Sequence, residues 1–113
     1  MGLDFSHCQA HWGYISFNRF RTKLAAEIGM NLDAMQGFNG DKPFSDYNDP
    51  IIPLLDHSDC DGELTLEECR QVAPRLRELI SKWPDDDRDK QEALNLADGM
   101  ERAAQNDESL QFY

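Results

Sequence analysis

A mainly α-helical single domain spanning residues 1–113 is the fold class this sequence predicts, with about four helices around one core and a short terminal strand pair. Three observations point to it. Apolar residues recur at three- and four-residue intervals in separate stretches. Capping and breaking residues bracket those stretches. The 113 residues are 40% hydrophobic and include two Trp, three Tyr and six Phe, enough to build a core rather than an acidic disordered tail. No internal repeat or low-complexity segment divides the chain.

In chain order, Leu3-Asp4-Phe5 alternates apolar and polar, as does Leu110-Gln111-Phe112. The two ends are expected to pair as a small antiparallel ribbon. The first helix should begin near Ser16 and carry Phe17, Phe20, Leu24 and Ile28 on one stripe. Arg19, Arg21 and Lys23 then fall mostly off that stripe, on a solvated face or in a small anion-binding patch. Gly29 reads as a C-cap, and Asn31 can cap a short helix over 32–36 that ends at Gly37. Residues 38–49 are rich in Gly, Pro, Asn and Asp and read as loop. Phe38, Phe44 and Tyr47 punctuate it, either pinning it to the core or, if exposed, offering a contact surface for a partner.

Prolines at 50 and 53 leave room for about one helical turn before Asp56. A helix is expected from Leu66 to about Ala73, with a kink or restart at Pro74. Leu76, Leu79, Ile80 and Trp83 carry the apolar face of its second part, while Cys69 and Val72 belong to the core face of the first. Pro84 stops it. Asp85-Asp86-Asp87 favours the positive end of the next helix dipole, and that helix should run to Gln105 with Ala93, Leu94, Ala97, Met100 and Ala104 buried.

The stretch with chemistry in its spacing is residues 55–69. With Gly62 at the sixth position of a twelve-residue loop, Asp59, Asp61, Glu63, Thr65 and Glu68 fall at positions 3, 5, 7, 9 and 12, and apolar Leu64 falls at 8. In this register the stretch resembles a single EF-hand calcium loop, and the resemblance implies oxygen ligation by those five residues, Glu63 through its carbonyl. Position 1 departs from the pattern. It is His57, and imidazole is a poor ligand for a hard cation. The segment before it is too short for an entering helix, and there is no second loop. The same letters support a metal-free reading, because Thr65-Leu66-Glu67-Glu68 is a capping box behind a polar turn of Asp59, Asp61 and Gly62.

A third reading uses softer ligands. His7 and His11 are four apart, which on a helix would place them on one face, and His57 and Cys60 are three apart. Together these four residues form a candidate zinc set, with Cys8 in reserve. Calcium, zinc and no metal therefore all fit this sequence.

Charge bounds the partners. A net charge of −11 excludes a nucleic-acid backbone or an anionic membrane as a direct partner and suits a protein, specifically a basic one. No stretch is apolar enough for a signal or a membrane span. Three cysteines in such a chain suggest reduced thiols and a cytoplasmic setting. No phosphate-cradling loop, nucleophile elbow or zinc-protease motif appears, so an enzyme is not expected.

Residues 3–8, 53–62 and 72–77 are similar to short bacterial and prophage proteins, a resemblance that implies no particular activity. The functional expectation is a small acidic intracellular binding or regulatory protein carrying one EF-hand-like acidic loop. An acidic inhibitor or immunity-type protein that masks a basic, nucleic-acid-binding surface is the alternative, and a zinc-stapled protein using His7, His11, His57 and Cys60 is the second.

Overall fold

The computed structural model describes residues 2–38, 40–57 and 62–113. Among these residues there are four α-helices and four short strands, so the mainly helical expectation with a small β component holds. In order they are β1 (Leu3–Asp4), β2 (His11–Trp12), α1 (Tyr14–Ala26), α2 (Ile52–Leu55), β3 (Gly62–Leu64), α3 (Leu66–Ile80), α4 (Arg88–Gln105) and β4 (Leu110–Phe112).

Helix α1 starts two residues before Ser16, behind Gly13, and its first turn lacks a side-chain cap. Phe17, Phe20 and Leu24 are buried as the stripe requires, but Arg21 is buried with them. It lies four residues after Phe17 and three before Leu24, on the same face. The chain leaves the helix through Gly29, whose φ of +72° is the left-handed conformation a C-terminal turn needs. Asn31 then caps a single 3-10 turn over Leu32–Ala34 by accepting from the Asp33 amide, shorter than the helix to Gln36 that the sequence suggests. Helix α2 is one turn long, with Pro53 tolerated inside its first turn.

Helices α3 and α4 pack against each other and form the main scaffold. Thr65 and Glu68 form the capping box at the start of α3: the Glu68 amide donates to Thr65 Oγ1 at 3.2 Å and the Thr65 amide to Glu68 Oε1 at 2.9 Å. The expected interruption at Pro74 does not occur, and α3 is continuous from Leu66 to Ile80. The position explains this. Pro74 and Arg70 are both exposed, so the missing helical hydrogen bond falls on the solvent side of the helix. Asp87 caps α4 by accepting from the amides of Asp89 and Lys90. The buried face of α4 is rotated from the expected one. Leu96 and Ala103 are inside, whereas Leu94 and Ala104 are only half-buried. The turn between the helices is closed by buried Lys90, whose Nζ donates to the Trp83 carbonyl and Asp85 Oδ1, each at 2.8 Å.

The two chain ends meet, though not as a simple ribbon. β1 pairs antiparallel with β2, and β4 pairs antiparallel with β3 in the register Gly62↔Phe112, Glu63↔Gln111, Leu64↔Leu110. Residues 4–6 run along the other side of β4. The Asp4 amide donates to the Tyr113 carbonyl at 2.8 Å, the Tyr113 amide returns to Asp4 at 2.9 Å, and Phe5 bridges Phe112. The C-terminal strand therefore lies between the N-terminal segment and the exit of the central loop.

Aromatic rings fill the space this creates. Phe5 meets Phe112 edge-on at 4.8 Å between ring centroids, Trp12 stacks on Phe20 at 4.6 Å, and Phe20 meets Trp83 at 6.1 Å. Each such ring withdraws a large apolar area from water, worth about 1.5–3 kcal/mol. This cluster ties both termini and the central strand β3 to α1.

Candidate functional site

The central loop is built at its two ends by different means. On the exit side, Gly62 takes φ +97°, a conformation that favours glycine. β3 then runs to buried Leu64 with Glu63 exposed, so the apolar residue at position 8 of the loop is a core residue. Thr65 and Glu68, at positions 9 and 12, hold each other in the capping box of α3. On the entry side, His57 turns its ring back across the loop. Its Nε2 lies 2.8 Å from the carbonyl oxygen of Glu63, and its ring stacks on Phe112 with centroids 3.9 Å apart. A Cβ on Gly62 would come within 3.2 Å of the imidazole, so Gly62 also makes room for this crossing. The two protein groups at positions 1 and 7 are thus joined directly to each other. Asp59, Asp61 and Cys60 lie outside the described residues.

The second support comes from α1. The Arg21 guanidinium, 2% exposed, donates to the carbonyls of Leu55, at 3.4 Å, and of His57. Its Cζ sits over the rings of Phe17 at 4.7 Å and Phe38 at 5.0 Å. This corrects the expectation that Arg21 lies on a solvated or anion-binding face. A buried guanidinium needs acceptors, and the carbonyls at the end of α2 supply them, where a positive charge also meets the negative end of a short helix. Arg19 is exposed, and Lys23 pairs with Asp87 at 2.5 Å while lying 4.2 Å over the Trp83 ring. Asp49 anchors the entry segment from the other side. It binds Arg75 through both oxygens, at 2.7 and 3.0 Å, and accepts the Ile51 amide at 3.0 Å. The guanidinium beside it holds the Asp49 carboxyl below the usual carboxylate range.

The three histidines occupy separate settings. His7 is in a left-handed turn with φ +66° and His11 is in β2, so the shared helical face suggested by their spacing does not form. His7 Nδ1 lies 2.6 Å from Ser6 Oγ and its Nε2 lies 3.0 Å from Glu108 Oε1; His11 Nδ1 lies 2.9 Å from Asp4 Oδ1. Among the described residues no group of three or more His, Cys, Asp or Glu is placed to hold a metal ion. The Ser6–His7–Glu108 chain has the outline of a nucleophile relay, but Ser6 Oγ also accepts the Gln111 amide at 2.9 Å, which commits its oxygen to joining the turn to β4.

Cys8 lines a polar recess of about 220 Å³ together with Gln9, Asn95, Asp98 and Arg102. Burial pushes the Cys8 thiol up, which keeps it protonated and a poor nucleophile at neutral pH. Of the three loop aromatics, Phe44 is buried and packs edge-on against Phe38 at 6.0 Å, while Phe38 and Tyr47 are half-buried against the core. They pin the 38–49 segment, and Phe44 is not part of any exposed surface.

Comparison with protein-family models, with curated proteins and with solved structures finds no match for this chain. Among the described residues no helix is long and apolar enough to cross a membrane. The loop's two latches were missed from sequence for one reason. Their partners, Arg21 with His57 and His57 with Phe112, are far apart in the chain, and no spacing rule connects them. Only the burial of Arg21 had a signal, its place between Phe17 and Leu24 on the helical stripe.

Proposed function

We propose that this chain is a small acidic binding protein, without catalysis of its own, whose central loop presents carboxylates to a cationic protein partner. Masking of a basic surface, of the kind that otherwise receives nucleic acid, is the form of binding its charge suits best. One observation carries the reading: the ends of the loop are braced by Arg21, His57 and the capping box, while Asp56, Glu63 and Glu67 stay exposed. A braced segment loses little conformational entropy when a partner docks. The charge carried along this stretch of sequence supports the same reading. Between residues 56 and 68 the chain carries Asp56, Asp59, Asp61, Glu63, Glu67 and Glu68 with no Lys or Arg. Elsewhere many cations already face carboxylates, as Arg75 does with Asp49, Arg77 with Glu101 and Lys82 with Glu27.

The test is a titration with an oligolysine peptide at low and high salt, using two double variants of equal charge. Glu63→Lys with Glu67→Lys alters the loop face, and Asp33→Lys with Asp41→Lys alters two exposed positions on the 31–49 segment. Binding by the wild type should fall steeply with ionic strength, and only the first variant should lose most of it. Equal losses in both variants would mean that net charge, and not this face, attracts the peptide.

A further inference from the structure

We propose that β4 is an exchangeable strand: Leu110–Phe112 of a second copy of this chain fills the same slot, so that two chains swap strands and form a dimer. This concerns assembly and does not depend on the binding role proposed above.

The slot is built mostly by parts of the chain far in sequence from the strand that fills it. On one edge, residues 4–6 hold β4 through the backbone. The Asp4 amide donates to the Tyr113 carbonyl at 2.8 Å, the Tyr113 amide to the Asp4 carbonyl at 2.9 Å, and the Ser6 amide to the Gln111 carbonyl at 3.0 Å. The Gln111 amide returns to Ser6 Oγ at 2.9 Å. On the other edge lies β3. Side chains alternate as they do in an added strand: Leu110 and Phe112 are buried, Gln111 and Tyr113 exposed. Phe112 enters a pocket of rings, with His57 at 3.9 Å, Phe5 at 4.8 Å and Phe17 at 6.5 Å between centroids. A strand from another copy meets identical partners.

The link over 106–109 decides which copy supplies the strand. It turns the chain back after α4 through Asp107, whose φ of +57° is left-handed in a residue that carries a Cβ. Residues 106–108 are exposed. The carboxylates of the link pair with His7, at 3.0 Å from Glu108, and with Arg70, at 3.7 Å from Asp107, and pairs of exposed carboxylates contribute little. The amides of Asn106, Asp107 and Glu108 donate back to carbonyls of residues 102–104. If α4 runs on through the link, those amides keep helical acceptors and Asp107 becomes right-handed. The longer helix carries β4 away from its own slot and towards a second copy. Every contact of β4 is then recovered in the dimer, with one left-handed residue relieved in each chain. The tethered strand has the higher effective concentration, so the closed monomer prevails in dilute solution and the dimer in concentrated solution. Each chain carries a net charge of −11, so salt favours the dimer by screening the repulsion.

The test is sedimentation velocity on the full chain, refolded from urea in high salt at low and at high protein concentration. A dimer should form at high concentration. In dimers refolded from a mixture of carbon-13-labelled and unlabelled chains, isotope-filtered NMR should show Phe5 of one copy against Phe112 of the other. Asp107→Gly removes the cost of the left-handed residue in the closed form, so its dimer dissociation constant should rise about tenfold. A wild type that stays monomeric at both concentrations, a dimer whose Phe5–Phe112 contact lies within one chain, or an Asp107→Gly chain that dimerises as tightly as the wild type would each overturn the proposal. The first two are read on the wild-type chain, so the outcome stands even if the variant does not fold.

Discussion

Helices α3 and α4 and the segment from Asp49 to Glu68 are neighbours in space but are stabilised in opposite ways. The helix pair rests on repetition. Its buried residues follow a helical period, its N-termini are capped by Thr65 and Asp87, and its surface ion pairs link nearby turns. Many small contributions add up there, and each can be replaced. The described residues of the segment rest on a few contacts, most of them long-range: Asp49 to Arg75, Arg21 to Leu55 and His57, and His57 to Phe112, with His57 to nearby Glu63 beside them. Before α3 begins, its described residues form one helical turn and the short strand β3, so each contact governs a large share of their local order.

Substitutions of decreasing effect can break or sharpen this contrast. Leu76→Ala removes a fully buried side chain from α3 and should cost about 3 kcal/mol in urea unfolding, with exchange accelerated throughout the molecule. Arg21→Met keeps much of the side-chain volume but leaves two carbonyls without their charged donor. A loss of about 2 kcal/mol is expected, with amide exchange rising first in α2 and β3. If Arg21→Met instead loosened α3 and α4 equally, the two regions would be one cooperative unit.

Thr65→Ala removes the cap of α3 and should cost about 1 kcal/mol, detectable as a lower urea midpoint and as fraying of the residues just after the loop. Asp49→Asn should cost under about 1 kcal/mol at neutral pH, because both partners of the ion pair keep some contact with water. Its pH dependence is the sharper readout. The Asp49 carboxyl is held below its ordinary value in the folded chain, so its contribution is complete above the unfolded value of about 3.9 and disappears as pH falls through the lower folded value. The stability gap between wild type and Asp49→Asn should therefore narrow below about pH 4. Arg77→Ala, which breaks surface pairs with Asp98 and Glu101, should change the urea midpoint by no more than about 0.5 kcal/mol, the smallest effect of the series.

The parts of the fold legible in the sequence were those written in local patterns. The stripe of Phe17, Phe20 and Leu24, the caps at Thr65 and Asp87, the left-handed exit at Gly29 and the single turn before Asp56 all follow from residues within a few positions of one another. Where local evidence was ambiguous, packing decided. α4 turns Leu96 and Ala103 inward on the side that packs with α3, and Pro74 stays within α3 because it lies on the exposed side of the helix. β3 was hidden because three residues that begin with glycine and end before Thr65 carry too little period to be read.

By itself the sequence determined the main helices, the caps at Thr65 and Asp87, the acidic balance and the presence of one loop with calcium-like spacing, because these depend on side-chain identity and short separations. Only the tertiary structure decided that β4 lies between the N-terminal segment and β3, that Arg21 points inward, and that His57 closes on Glu63. The β4 and Arg21 contacts satisfy donors and acceptors across long stretches of chain, and the His57 ring takes its place against Phe112 from the far end of it. They arise only once the core has brought those stretches together, and no local spacing records them.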